Sequence, residues 1–347
     1  MNFFPLVRPV LGLIDGERAH RLTLIGLRLG FGPTDHESDP VALGIDRFGL
    51  HFTNPLGIAA GFDKNGEVPD AMLAMGMGFA EVGTVTPRPQ AGNPRPRIFR
   101  LTDEGAVINR LGFNNEGHAS LRRRLEARKN RGGIVGVNIG ANKDAADRMA
   151  DYELGIRTFE DLASYFTVNI SSPNTPGLRA LQGRGELEAL MVRVLKARTG
   201  NVPILLKIAP DLTEADRADI AAVALDLKLD GLIVSNTTIE REGLVSGVHA
   251  KETGGLSGKP LFAMSTKVLA DIYRLTGGKV PLVGVGGIAS GADAYTKIRS
   301  GASLIQLYSA LTYQGPALVT RIKRELVESL KRDGFARVED AVGVDVK

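Results

Sequence analysis

The feature that most narrows the fold of this chain is an alternation that begins near residue 54 and runs almost to the C-terminus. Short apolar, β-branched runs are separated by helical segments. Eight runs read as strands: 56–60, 80–85, 134–139, 166–170, 204–208, 231–234, 282–285 and 304–307. Between them, segments such as 67–77, 115–129, 187–199, 214–227 and 291–300 read as helices, and 315–331 follows the last strand. A strand covered on both faces has no polar face to alternate, so it reads as an unbroken apolar run; parallel strands joined by helical crossovers are the usual case. Eight β–α units point to an α/β chain folded as a (β/α)8 TIM barrel. A doubly wound open sheet is the alternative, but it usually has fewer strands. Two long interruptions stand out: PRPQAGNPRPRIFR before the third strand, and 239–259 after the sixth. Long loops on a barrel are functional candidates.

At 347 residues, a barrel of ~250 residues with an appendage fits as well as two domains of ~150. The appendage is the N-terminal stretch. Residues 1 to 31 read as two short helices broken at Asp15 and Gly16, with Asp15 placed to cap the second. On a wheel, Leu22, Ile25 and Leu29 share one face and Leu24 and Leu27 lie nearly opposite, so the segment needs apolar partners on two sides. The apolar run FFPLVRPVLGLI (3–14) is shorter than the ~20 residues a bilayer span needs, and it carries Arg8, Pro5 and Pro9. No small-residue cleavage site follows it, so it reads as neither a membrane span nor a signal peptide. The polar GPTDHESDP (32–40) then reads as a boundary, giving a helical extension over 1–38 and a barrel over 39–347.

Composition removes whole classes of chemistry. There is no cysteine, which excludes disulfides, thiolate zinc sites, cysteine-ligated clusters and a cysteine base. The five histidines are scattered without HExxH-type spacing, so no metal site is expected. Lysine and arginine exceed aspartate and glutamate by 43 to 39, tryptophan is absent and aromatics are 5%. That is no basis for a nucleic-acid platform.

Reactive groups on such barrels stand at the C-terminal strand ends. Here those ends carry AGFDKNG with Lys64, then Thr84, Asn138, NISSPNTPG with Asn169, Ser172 and Asn174, Lys207, SNTT (235–238), VGVGG and YSA. No end offers a carboxylate pair and only Asp63 lies nearby, which argues against glycosidase chemistry. The ends are rich in amides, which can both donate to and accept from a heterocycle edge. Gly286 and Gly287 after strand seven, and Tyr308 and Ser309 after strand eight, stand at the usual phosphate position. Glycines that merely make turns are the plainer reading. A phosphate, a heterocycle and a lysine together suggest flavin mononucleotide (FMN), with Lys207 near the flavin N1 edge. A Schiff-base lysine or a snorkelling core lysine remain open alternatives for Lys207.

The motifs GFDKNG, GNPRPRIFR, VINRLGFNN, VNISSPNTPGLR, SNTT, GGLSG and VGVGGI resemble the dihydroorotate dehydrogenases, in order and over nearly the whole chain. The resemblance implies an FMN-containing barrel that oxidises (S)-dihydroorotate to orotate in pyrimidine (UMP) synthesis. It is closest to the quinone-linked class 2 form, because the base position carries Ser172 where class 1 enzymes have cysteine, and because the helical extension is present. A membrane quinone, peripheral attachment to the cytoplasmic face of a bacterial cell membrane and a monomeric state are then implied.

Matched residue by residue, the cofactor site would include Ala60, Gly61, Phe62, Asp63, Lys64, Thr84, Asn138, Asn169, Lys207, Ser235, Gly258, Gly287, Tyr308 and Ser309. The substrate would meet Lys64, Asn109, Arg110, Leu111, Gly112, Phe113, Asn169, Asn174, Asn236 and Thr237. Ser172 would be the base, with Thr175 or water as relay, and the quinone head would lie near His20 and Arg100. Ser235 stands where a threonine is common and keeps the hydroxyl. The rivals are a nicotinamide-linked flavin barrel, a lysine-dependent lyase and a non-catalytic, membrane-associated binding protein.

Overall fold

The computed structural model describes residues 4–242, 244 and 249–346. Residues 243 and 245–248 of the insertion after the sixth strand therefore lie outside the described residues. The eight expected strands close into a parallel barrel: β1 Leu56–Asp63, β2 Phe79–Val85, β3 Ile134–Ile139, β4 Tyr165–Asn169, β5 Ile204–Ile208, β6 Gly231–Val234, β7 Leu282–Val285 and β8 Ala302–Leu307. Neighbours in the chain are neighbours in the barrel, and β8 pairs with β1 through Gln306 opposite Gly57. The strands are buried almost throughout, which is why they read as unbroken apolar runs.

The expected helices appear with shifted ends, for example Pro69–Ala74, Gly117–Arg128 and Ala317–Arg332. Three more among the described residues lie outside the expected set, Arg148–Phe159 after β3, Phe262–Thr276 after the second insertion and the short Ser309–Gln314 after β8. The two insertions meet: Ala106–Asn109 is the centre of an antiparallel sheet, flanked by Ile98–Leu101 and Gly255–Gly258. Phe99, Leu101, Ala106, Ile108 and Leu256 give this sheet a small core of its own. Its register sets Asn109 opposite Gly255. A hairpin of Ile45–Arg47 and Leu50–Phe52 lies on the other side of the barrel, where the Phe52 ring packs edge-on against Phe79.

The N-terminal extension folds as α1 Phe4–Leu13 and α2 Gly16–Arg28. Asp15 caps α2, accepting from the backbone N–H of Glu17 and Arg18. Of the two apolar faces, the one bearing Leu24 is buried, whereas Leu22 and Leu29 are 52% and 64% exposed. The polar linker is tied down: Lys323 of the C-terminal helix donates to Asp35 and Asp39, both at 2.7 Å.

Candidate active site

A single cavity of about 1990 Å3 runs from α1 and α2 into the C-terminal mouth of the barrel. It is lined by the ends of most barrel strands, by the three-stranded sheet and by both extension helices. A volume on the scale of several hundred Å3 per ligand leaves room for more than one molecule.

Its floor is polar. Glu81 of β2 lies inside the barrel, fully buried, and accepts from Asn138 Nδ2 at 2.8 Å, Tyr165 Oη at 3.0 Å and Gln306 Nε2 at 2.7 Å. Thr84 donates to Asn138 at 2.6 Å and accepts from Asn169 Nδ2 at 2.9 Å. Lys207 lines the cavity from the end of β5 and has no hydrogen-bond partner among the described residues. Burial pushes its pKa down and the Glu81 charge pushes it back up. A lysine amine lining a cavity with no acceptor among the described residues can donate to an electron-rich ligand edge.

The second polar group is the putting together of three loops at the mouth. Lys64 Nζ donates to the Gly61 carbonyl at 2.8 Å, and burial lowers its pKa to about 8. Asn174 Nδ2 donates to the Asn109 carbonyl at 3.1 Å, and Asn236 Nδ2 to Ser171 Oγ at 2.9 Å. Ser172 is buried and accepts from the Asn174 N–H at 3.3 Å. No histidine or carboxylate is hydrogen-bonded to it among the described residues. Thr175 Oγ1 is buried without a partner among the described residues. Arg179 braces this wall, donating to the Ser171 carbonyl at 3.0 Å, the Thr237 carbonyl at 3.0 Å and Asp211 at 2.7 Å.

At the β7 and β8 ends, Gly286, Gly287, Tyr308 and Ser309 line the cavity, joined by Gly258 from the three-stranded sheet. Gly287 has φ 78°, and a Cβ there would lie 2.5 Å from Phe262 Cβ and 2.7 Å from its backbone N. Only glycine fits that approach, and it leaves backbone N–H groups uncovered for an anion. Ser309 Oγ donates to Ser257 Oγ at 2.8 Å.

On the extension side His20 stands edge-on to Phe62, with centroids 5.4 Å apart, and 6.2 Å from Tyr308. Burial first, then the Lys64 charge, lowers its pKa to about 3, so it is neutral at physiological pH. Arg100 spends its guanidinium on α1, donating to the carbonyls of Leu11, Gly12 and Ile14. It lines the cavity while closing the C-terminus of that helix.

Of the residues singled out from sequence, Asp63, Arg110 and Asn138 do not line the cavity. The Asp63 carboxylate accepts from the backbone N–H of Glu67 and Val68 and so shapes the turn that carries Lys64. Arg110 stacks on Phe99 and pairs with Glu252 at 2.7 Å. Asn138 reaches the site through Thr84 and Asn169. Thr175, named as a relay, is also absent from the cavity wall, and all the others line the cavity. Sequence reasoning missed Glu81, Gln306, Arg179 and Asn93, whose Nδ2 donates to the Asn174 carbonyl at 3.1 Å. A charged residue inside the run FAEVGTV was the available signal for Glu81.

Residues 42–330 match the family model for dihydroorotate dehydrogenase. The chain is 73% identical to the dihydroorotate dehydrogenase (quinone) of Parvibaculum lavamentivorans, over 100% of this chain and 99% of that one. It is 52% identical to the mitochondrial dihydroorotate dehydrogenase (quinone) of Oryza sativa, over 99% and 80%. Among solved structures, the ligand-free DHODH of Eimeria tenella superposes with a TM-score of 0.93 at 43% identity, covering 96% of this chain and 100% of that one. The same enzyme in complex with ferulenol gives 0.92 at 42%, covering 95% and 96%.

Proposed function

This chain belongs to the dihydroorotate dehydrogenase family, and from that membership we propose that it oxidises (S)-dihydroorotate to orotate for pyrimidine synthesis, with FMN as resident cofactor and a membrane quinone as final acceptor. The observation that carries the reading is the continuity of one cavity from an amide-lined barrel mouth to an apolar helix pair. One end suits a small heterocyclic anion and the other a hydrophobic electron acceptor.

The donor set fits FMN. The Gly286 and Gly287 turn with Ser309 offers an anion cradle, and Lys207 offers an amine without a hydrogen-bond partner among the described residues. Thr84 and Asn169 supply polar atoms beside it. Held by these residues, FMN would supply a two-electron acceptor for the C6 hydride and a donor to quinone.

The chain's own residues do the rest. Lys64, protonated below about pH 8, pairs with the substrate carboxylate. Asn109, Asn174 and Asn236 meet the ring amide edges, where an unpaired edge would cost ~1–3 kcal/mol. Ser172 takes the C5 proton, so that one proton and one hydride leave adjacent carbons and a C5–C6 double bond forms. A serine is a weak base unless its surroundings accept the proton onward; Thr175, buried with its hydroxyl unpaired, supports a relay role. Arg179 holds the Ser171 and Thr237 backbones and so keeps this wall in register.

The extension is read as a quinone entrance resting on the membrane surface. No helix among the described residues is long and apolar enough to cross a membrane. Leu13, Leu22, Leu29 and Phe31 are exposed on the extension, as are Arg8 and Arg18, which suits an interfacial helix pair. Arg21 and Arg28 pair with Glu67 at 2.5 and 3.5 Å.

The test is spectroscopic. The purified protein is expected to show a flavin spectrum that dihydroorotate bleaches anaerobically and NADH does not, with the colour restored by a short-chain quinone. A colourless protein, or one bleached by NADH, would overturn this reading.

A further inference from the structure

The hydrogen bonds at the barrel mouth all point one way. Asn236 Nδ2 donates to Asn169 Oδ1 at 3.3 Å, and Asn169 Nδ2 donates to Thr84 Oγ1 at 2.9 Å. Thr84 Oγ1 donates to Asn138 Oδ1 at 2.6 Å, and Asn138 Nδ2 donates to Glu81 Oε1 at 2.8 Å. The chain starts on two cavity-lining asparagines and ends on a fully buried carboxylate inside the barrel. From these contacts we propose that Glu81 is a positioning residue that sets the donor–acceptor orientation of the Asn138, Asn169 and Asn236 amides, and through them which edges of a ring the site accepts. The proposal rests on the reading of Asn169 and Asn236 as substrate contacts.

The physical argument is about symmetry. An amide keeps its shape when its nitrogen and oxygen exchange places, so packing alone does not fix which end faces the ligand. Glu81 accepts from all three of these neighbours, Asn138, Tyr165 and Gln306, so it takes the nitrogen end of Asn138. The Asn138 oxygen must then face Thr84. The single hydroxyl hydrogen of Thr84 goes to that oxygen, which leaves only lone pairs for Asn169, and these draw its nitrogen. Asn169 Oδ1 is then turned to Asn236 and Ser171, and Asn236 Oδ1 accepts from the Thr237 N–H at 2.8 Å. The links from Asn138 to Asn169 follow from the acceptor at the end, and the backbone N–H groups of Ser171, at 3.3 Å from Asn169 Oδ1, and of Thr237 hold the next two amides in the same sense.

A second observation bears this out independently. Gln306 turns its Nε2 to Glu81 at 2.7 Å and leaves its own Oε1 buried with no partner among the described residues. A buried acceptor without a donor is costly, so the pull of the carboxylate outweighs that loss in orienting a neighbouring amide. Tyr165 Oη donates to the same carboxylate at 3.0 Å. A Glu81 that merely filled the barrel floor would have no consequence at Asn236.

The experiment uses the full-length, flavin-loaded protein and three variants: Glu81→Gln, Thr84→Val and the double substitution. Glu81→Gln is isosteric but presents a donor as well as an acceptor; Thr84→Val cuts the chain one link further on. Orotate affinity is read from perturbation of the flavin spectrum, and KM and kcat for dihydroorotate are measured beside a thermal midpoint. Each single variant is expected to weaken orotate by roughly tenfold or more, as one mis-set hydrogen bond to a buried group does. KM rises with it. The double variant is expected to lose no more than the worse single, because both act through one chain. Wild-type orotate affinity in Glu81→Gln, or losses that add in full, would overturn the proposal. If Glu81→Gln does not load flavin, unchanged affinity in Thr84→Val overturns it alone. A wild-type protein blind to orotate would instead fault the proposed substrate.

Discussion

Replacing Glu17 with alanine should loosen the helical extension from the barrel mouth by an amount the structure lets us work out. Glu17, on the first turn of α2, accepts from Arg97 Nε at 2.9 Å and Nη2 at 2.6 Å, and from Arg95 at 3.0 Å. Arg97 is 5% exposed, and its remaining N–H groups go to the carbonyls of Ala91 and Asn93, both at 2.7 Å. The Arg97 hydrogen bond, working against burial, holds the Glu17 carboxyl at about 2 rather than 4.5. At 1.36 kcal/mol per pH unit that is ~3 kcal/mol. Exposed Arg95 and nearby solvent screen part of it, leaving ~2 kcal/mol. Spread over 347 residues, an unfolding entropy of ~2 cal/mol/K per residue turns this into a drop of ~3 °C in the thermal midpoint. The sign with pH is fixed: a depressed carboxyl stabilises above its unfolded value near 4.5 and loses that stabilisation as pH falls towards 2. Glu17→Ala and wild type should therefore differ at pH 7 and converge in acid, measured by calorimetry or urea midpoints from pH 7 down to pH 3. Because Arg97 also steadies Asn93, which holds the Asn174 carbonyl, orotate affinity should fall in the same variant. Equal midpoints at pH 7, or a gap that persists undiminished in acid, would refute the reasoning.

Orotate affinity should be flat below about pH 8 and weaken by up to ~tenfold per unit above it, as buried Lys64 loses its proton; a flat titration to pH 9.5 would remove Lys64 as the carboxylate partner. Ser172→Ala should retain flavin and orotate but slow flavin reduction by dihydroorotate ~10²–10⁴-fold in stopped flow; a near-wild-type rate would take Ser172 out of the chemistry. Deleting residues 1–38 should destabilise the barrel as well as remove quinone turnover, because it strips Arg97 of Glu17, buried Glu67 of Arg21 and Lys323 of Asp35; a truncated protein that melts with the full-length chain would show the extension to be energetically separate.

Much of the frame could be read from the chain because burial on both faces leaves a plain trace. The strands over 134–139, 204–208, 231–234 and 282–285 are recovered end to end, and Asp15 caps α2 as its position predicts. Helix Arg148–Phe159 was harder to see because RMADYELGIRTF carries its apolar residues without a clear stripe. Loop strands were hidden for another reason. Residues 98–101, 106–109 and 255–258 pair across insertions far apart in sequence, and register of that kind leaves no local pattern.

The site divides along the same physical line. Strand-end residues such as Lys64, Asn169, Asn236 and Lys207 were legible because a barrel fixes where its strands end, so position alone carries chemical meaning. What sits one layer below was not legible. Glu81 and Gln306 occur within FAEVGTV and ASLIQL, where a polar residue in an apolar run is ordinarily a blemish in the pattern. Only the closed barrel shows that β2 and β8 turn them towards each other and towards Asn138 and Tyr165. A buried carboxylate is tolerated only where donors surround it, and here each donor is itself fixed by a strand. The residues that line the cavity are therefore written at predictable places, whereas the carboxylate beneath them is held by donors from three strands at once. That is why the directed chain from Asn236 to Glu81 emerges from the coordinates and not from any motif.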